Sequence, residues 1–121
     1  MKTYTGIVQK GERRGTALGF PTANIAVPYM ELSGIYAARV LVGGREYGAA
    51  GFADQERKIL EAHILDFSGD LYGKEITIQL LKKIRDSMRF SHDTALRAAI
   101  ADDVACVRTY FSSLKPEIRN L

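Results

Sequence analysis

Apolar positions along the first two thirds of the chain recur at strand-like intervals, and those of the last third recur at helical ones. Residues 34–42 (GIYAARVLV) are rich in β-formers and alternate loosely, and Gly43-Gly44 follows as a two-residue turn in which both positions tolerate positive φ. Residues 45–52 (REYGAAGF) then read as the returning strand and residues 59–67 (ILEAHILDF) as a further one. Ser68-Gly69-Asp70 and Tyr72-Gly73-Lys74 are turn chemistry. Residues 75–84 (EITIQLLKKI) alternate more cleanly, with Ile76, Ile78 and Leu80 on one face. Short strands at this spacing, punctuated by glycine, predict a barrel or a sandwich.

From Leu96 the period changes. Leu96, Ile100, Val104, Val107 and Phe111 step by 4, 4, 3 and 4, which is one stripe of an α-helix, read here as a core-packing face. Ser91 is a candidate N-cap and Asp93 suits the positive helix end. Pro116 does not readily continue a helix, so the helix is expected over about 91–114. Cys106 is expected to pack beside the stripe as a small hydrophobe. The 121 residues support one hydrophobic core, and a single domain over 1–121 is expected.

The long non-periodic stretch is 10–30. Loops of that length inside a compact domain are usually functional. Gly11, Gly15 and Gly19 lie at four-residue spacing, and Lys10, Arg13 and Arg14 add positive charge. Successive backbone N–H groups in such a loop form an anion-binding concavity. It is not a Walker A loop, because no Gly-Lys-Ser/Thr follows. Taken alone it reads equally as a phosphate loop or a plain connecting loop.

The residues that follow are more specific. Leu18-Gly19-Phe20-Pro21-Thr22-Ala23-Asn24, with the preceding Arg14-Gly15, resembles the signature of the ATP-dependent riboflavin kinase family. In order come Gly34-Ile35-Tyr36-Ala37, which resembles the GVYA strand, and Leu60 through Phe67 (LEAHILDF), which resembles LEVHLLDF. Asp70-Leu71-Tyr72-Gly73 is similar to the DLYG turn, Ile84-Arg85 with Arg89-Phe90-Ser91 to the IR…KF segment, and Ile100-Ala101-Asp102-Asp103 to the terminal helix. The resemblance implies a mainly β fold, a six-stranded antiparallel Greek-key β-barrel with a C-terminal helix. It implies transfer of the γ-phosphate of ATP to the ribityl 5′-hydroxyl of riboflavin, giving FMN and ADP.

The resemblance also implies a site. Gly11, Arg14, Gly15, Gly19, Pro21 and Thr22 would bind nucleotide and phosphate. Thr22 and Asn24 would serve Mg²⁺, or another divalent cation, together with the ATP phosphates. Mg²⁺ keeps waters and substrate phosphates around it, so neutral protein oxygens suffice. Glu61 would be the catalytic base, and Arg85 and Phe90 would lie on the flavin side. Read without the resemblance, Thr22 and Asn24 form a polar turn around Pro21, Glu61 is an outward strand residue, Arg85 a surface arginine and Phe90 a core residue. His63 and His92 are too far apart and too unaccompanied to argue for a metal site, and His63 reads as packed in the barrel wall. Two departures stand out. Where the family carries an Asn-Ile-Gly-like stretch followed by Arg-Pro-Thr-Phe, residues 51–59 read GFADQERKI. A loop shortened there leaves three readings: a more open site, weaker binding or lost catalysis. Many bacterial relatives also carry an N-terminal FMN adenylyltransferase domain that has no counterpart here, so no FAD synthesis is expected.

Composition narrows the alternatives without choosing among them. Hydrophobic residues make up 46% and charged residues 26%, which argues for a folded globular chain. No apolar run approaches the roughly 20 residues of a membrane span, and the N-terminus lacks the apolar segment of a signal peptide. A single cysteine cannot form an internal disulfide and suits a reducing compartment, so a cytoplasmic location is expected. Net charge is +3 and the pI about 9.1. A basic barrel that binds nucleic acid is one reading of that charge, but no aromatic-basic interleaved strand supports it, and no nucleic acid, membrane or obligate protein partner is expected. A non-catalytic flavin- or nucleotide-binding module is the other alternative to the kinase.

Overall fold

The computed structural model describes residues 2–10 and 17–119, with side chains as far as Leu114. Among the described residues the elements are six strands and a C-terminal helix: β1 (Lys2–Ile7), β2 (Ala23–Ala26), β3 (Gly34–Val42), β4 (Arg45–Asp54), β5 (Ile59–Ile64), β6 (Glu75–Arg85) and α1 (Asp93–Arg119). β3 occupies the span its alternation predicts. Gly43 and Gly44 turn the chain with φ of 54° and 83°, and Val42 pairs with Arg45 across them. Two successive positive φ values match the right-handed twist of a hairpin, and glycine adopts them without a Cβ clash. β5 stops at Ile64, short of the expected 67, because Asp66 takes a left-handed φ of 55°. β6 turns Ile76, Ile78 and Leu80 inward, all nearly fully buried.

β1 and β2 have no separate signal in the sequence. β1 exposes four of its six residues, so its alternation is largely polar. β2 is four residues long and lies inside the stretch read as loop. All neighbours pair antiparallel, in the order β1-β6-β3-β4-β5-β2. β3, β4 and β5 form a meander and β6 returns beside β3, which is a Greek key. Irregularities in the β3–β6 register between Ile35 and Tyr36, and between Ala37 and Ala38, add the local twist that curls the sheet. The ends meet where the Gln9 N–H donates to the Asn24 carbonyl at 2.8 Å. Ile25 also packs over Gly6, 3.1 Å from where a Cβ would stand. The barrel is nearly closed around a core built on Ile25, Met30, Val40, Leu60, Ile76 and Ile78.

α1 lies on the outside of the β3–β4 hairpin. Its stripe packs as expected: Val107 is fully buried with Ala37, Ala50 and Leu65, and Val104 and Phe111 flank them. Three expectations about the helix change. The His92 carbonyl accepts the Leu96 N–H at 3.1 Å, so His92 rather than Ser91 holds the capping position. The helix also continues past Leu114 to Arg119. Pro116 removes only the N–H that would bond the Ser112 carbonyl, and Ser112 is exposed to water. Cys106 is exposed, because it lies one residue, about 100° of rotation, from the inward Val107.

The small residues beneath α1 set its distance from the sheet. A Cβ on Gly48 would stand 2.9 Å from the Phe111 ring, closer than van der Waals contact allows. Gly48→Ala is expected to cost about 1–3 kcal/mol through overpacking, read as a lower midpoint in urea unfolding. Gly48→Ala with Phe111→Leu should recover part of that loss.

Candidate functional site

β5 brings two polar side chains to one face. Leu60, Ala62 and Ile64 point into the core, so Glu61 and His63 point outward. β2 pairs with β5 so that Ala23 lies opposite Ala62, on the core side, and Asn24 opposite Glu61, on the outer side. Asn24 is nonetheless buried at 6% exposure. Its Oδ1 accepts the Thr22 hydroxyl at 3.3 Å. Thr22, Asn24 and Glu61 are therefore neighbours, set by strand register rather than by loop placement.

Two clefts open on this polar shelf. The first, of about 780 Å³, is lined by Thr22, Phe52, Glu61, Arg85, Phe90 and Ile100 among others. The second, of about 460 Å³, is lined by Lys10, Pro21, Thr22, Asn24, His63 and Tyr72 among others. Thr22 borders both. Two ligands seated one in each cleft would meet beside its hydroxyl, with Glu61 on the first side and Asn24 on the second. That arrangement suits group transfer between two bound molecules.

The walls of the first cleft are held by two charge clusters. In the turn from β4 to β5, Asp54 accepts the Arg57 backbone N–H at 2.9 Å and its Nε at 2.7 Å. Partial burial pulls the Asp54 carboxyl upward, but the hydrogen bonds and charge of Arg57 outweigh it and hold the group below its ordinary value. Arg57 Nη2 lies 3.6 Å from Glu61 Oε1. On the opposite wall, Arg85 forks onto Asp103 of α1 with Nε–Oδ1 and Nη2–Oδ2 both at 2.8 Å. Its Nη1 donates to the Asp86 carbonyl at 3.0 Å, and its guanidinium lies 5.8 Å from the centre of the Phe90 ring. Asp103 is buried at 2% exposure, and this bidentate pair ties the third turn of the helix to the end of β6.

The second cleft has its own supports. His63 Nδ1 lies 2.8 Å from the Pro21 carbonyl, and its ring meets Phe20 edge-on with centroids 5.5 Å apart. Lys10 Nζ lies 5.1 Å from the centre of the Tyr72 ring. Among the described residues no cluster of three or more His, Cys, Asp or Glu could hold a metal ion. A cation here would draw on neutral oxygens and on its ligand. The Thr22 hydroxyl and the Asn24 Oδ1, 3.3 Å apart, would supply such neutral oxygens.

Of the expected site residues, Thr22, Asn24, Glu61, Pro21, Arg85 and Phe90 all border these two clefts. Gly19 lies just before the shelf, exposed and with φ of 93°. Gly11, Arg14 and Gly15 lie outside the described residues. His63 corrects an expectation: it faces the second cleft instead of packing in the wall, and the Pro21 carbonyl holds it there. Its placement two residues from Glu61 on one strand was the available signal. Arg57, Asp103, Lys10 and Tyr72 had no assigned role in the sequence. Within the altered 51–59 segment, residues 51–54 end β4, residues 55–58 make a four-residue turn and Ile59 opens β5, and the turn forms one rim of the first cleft.

The fold and shelf define a class, a small Greek-key barrel with two clefts joined by a threonine. The family profile of the flavokinases, riboflavin kinase, matches residues 2–111. The chain is 37% identical over 121 residues to the bifunctional riboflavin kinase/FMN adenylyltransferase of Escherichia coli strain K12, covering 93% of this chain and 39% of that protein. Among solved structures it is similar to riboflavin kinase from Trypanosoma brucei (TM-score 0.65, 27% identity, 93% of this chain and 81% of that one). It is also similar to a Streptococcus pneumoniae chain described as a macrolide-efflux protein (TM-score 0.77, 28% identity, 88% of this chain and 38% of that one). The chain belongs to the riboflavin kinase family. It spans about two fifths of the length of the bifunctional relative, and none of its described helices is long and apolar enough to cross a membrane.

Proposed function

We propose that this chain is a riboflavin kinase that transfers the γ-phosphate of ATP to the 5′-hydroxyl of the riboflavin ribityl chain. The observation that carries the reading is the shared position of Thr22 between two clefts, with Glu61 and Asn24 opposite each other beside it. The larger cleft takes the flavin. Phe52 and Phe90 offer apolar faces to its ring system, and the ribityl chain runs toward Glu61. The smaller cleft takes the nucleotide, with Pro21 and Thr22 on its phosphate side.

Glu61 accepts the proton of the attacking 5′-hydroxyl as that oxygen approaches the γ-phosphorus. Thr22 and Asn24 hold the divalent cation and terminal phosphates at the junction of the clefts. When bound, Mg²⁺ supplies charge neutralisation for the transferring phosphoryl group. The rest of the rate acceleration comes from alignment, since both reactants are fixed on strands of one barrel. A chain acting inside the cell, with no protein partner required, completes the reading.

The experiment is formation of FMN from riboflavin and ATP with Mg²⁺, followed by separation of the two flavins. Turnover supports the kinase. Tight riboflavin or FMN binding without turnover, across several divalent metals and nucleotides, selects a binding module instead.

A further inference from the structure

The β4–β5 turn carries a charge close to the proposed base. Arg57 is fixed twice by Asp54, through its backbone N–H and its Nε, within one turn. That leaves Nη2 directed at Glu61 Oε1, 3.6 Å away. Lys58 holds the turn in place: at φ 58° its carbonyl accepts the Val27 N–H at 2.8 Å, and its Nζ donates to the Met30 carbonyl at 3.2 Å. The turn is thus pinned to the segment that follows β2, the strand carrying Asn24. A non-glycine residue in the left-handed region costs about 1 kcal/mol, and it persists here because these contacts determine it.

We infer that Arg57 is a positioning residue for Glu61, with Asp54 as the anchor that aims it. A glutamate side chain has three rotatable bonds, and a base must reach one hydroxyl oxygen. An arginine fixed at its Nε by a carboxylate is a rigid fork, and its Nη2 beside Oε1 limits the rotamers of the neighbouring glutamate. The four-residue turn therefore supplies a contact to Glu61 of its own. Asp54, Arg57 and Glu61 form a relay along one rim of the first cleft, and Arg57 acts on the reaction through Glu61. This inference rests on Glu61 being the base.

The test is steady-state FMN formation by the full chain and by its Arg57→Gln, Asp54→Asn and doubly substituted forms. Arg57→Gln is expected to lower kcat about 10- to 100-fold, the scale of a misplaced catalytic group, with KM for riboflavin and for Mg-ATP within about twofold. Asp54→Asn should lower kcat by a smaller factor, and the double substitution should match Arg57→Gln alone, since Asp54 acts only through Arg57. The thermal midpoint of Arg57→Gln should stay within about 3 °C of the parent, because both ion pairs are partly exposed. A loss confined to KM, losses that multiply in the double variant, or a larger drop in midpoint would each overturn the inference and leave the role of Glu61 standing. A parent chain that forms no FMN overturns the proposed function, and this inference with it.

Discussion

Glu61→Gln is expected to lower kcat for FMN formation by about 10²- to 10⁴-fold, or roughly 3–5 kcal/mol of barrier. The substitution keeps the shape of the side chain and removes its ability to accept a proton. Glu61 stands on a paired strand, with Leu60 and Ala62 beside it in the core, so the fold should not change. The lost ion pair with Arg57 is partly exposed and long, worth less than about 1 kcal/mol. The signature is therefore a fall in kcat with both KM values little changed and an unaltered unfolding midpoint. Steady-state kinetics with separation of riboflavin from FMN reads it directly. Activity within threefold of the parent would remove Glu61 from the chemistry and leave the shelf as a binding surface.

The largest effect on stability is expected at Asp103. Its carboxylate is buried, and both oxygens are taken by Arg85 at 2.8 Å. Asp103→Ala strands the guanidinium against the side of the helix. Breaking one side of a buried pair costs 3–5 kcal/mol, and the Arg85 side chain is 25% exposed, so about 3 kcal/mol is expected. For a chain of this length that lowers the thermal midpoint by about 10 °C. Because Arg85 and Phe90 line the flavin cleft, KM for riboflavin should rise while KM for ATP holds. Asp103→Ala with Arg85→Met removes both charges and should recover most of the stability but not the riboflavin affinity. If the double variant stays as unstable as the single one, the pair is not what holds the helix.

Much of the fold was legible because its signals are local. β3, the Gly43–Gly44 turn, the inward face of β6 and the α1 stripe all follow from alternation, positive φ and a 3.6 period. β1 and β2 were not legible. One buries too little to alternate, and the other is too short to show a period. Their existence depends on pairing with β6 and β5, which no local window contains. The expected Ser91 cap and the end near Leu114 fell to single-residue effects at helix ends. The family signature pointed to Thr22, Asn24 and Glu61, and strand register explains why they meet. Asp103 could not be read, because it and Arg85 lie on different elements and only packing makes them partners. Arg57 was hidden for another reason. It occupies a turn outside the segments that carry the family resemblance, and its charge alone looks like any solvated arginine.

The seam between β1 and β2 has a consequence for how the molecule behaves before it is loaded. Apart from the single bridge at Gln9 and Asn24, the four-residue strand that carries Asn24 is anchored along one edge only, to β5. Sub-global opening should therefore begin there, and amide deuteration at residues 23–26 should outpace that of the β3–β4 hairpin. A nucleotide resting on Thr22 and Asn24 would act as a clasp on that weak stave, slowing exchange across it and raising the cost of prying the barrel apart.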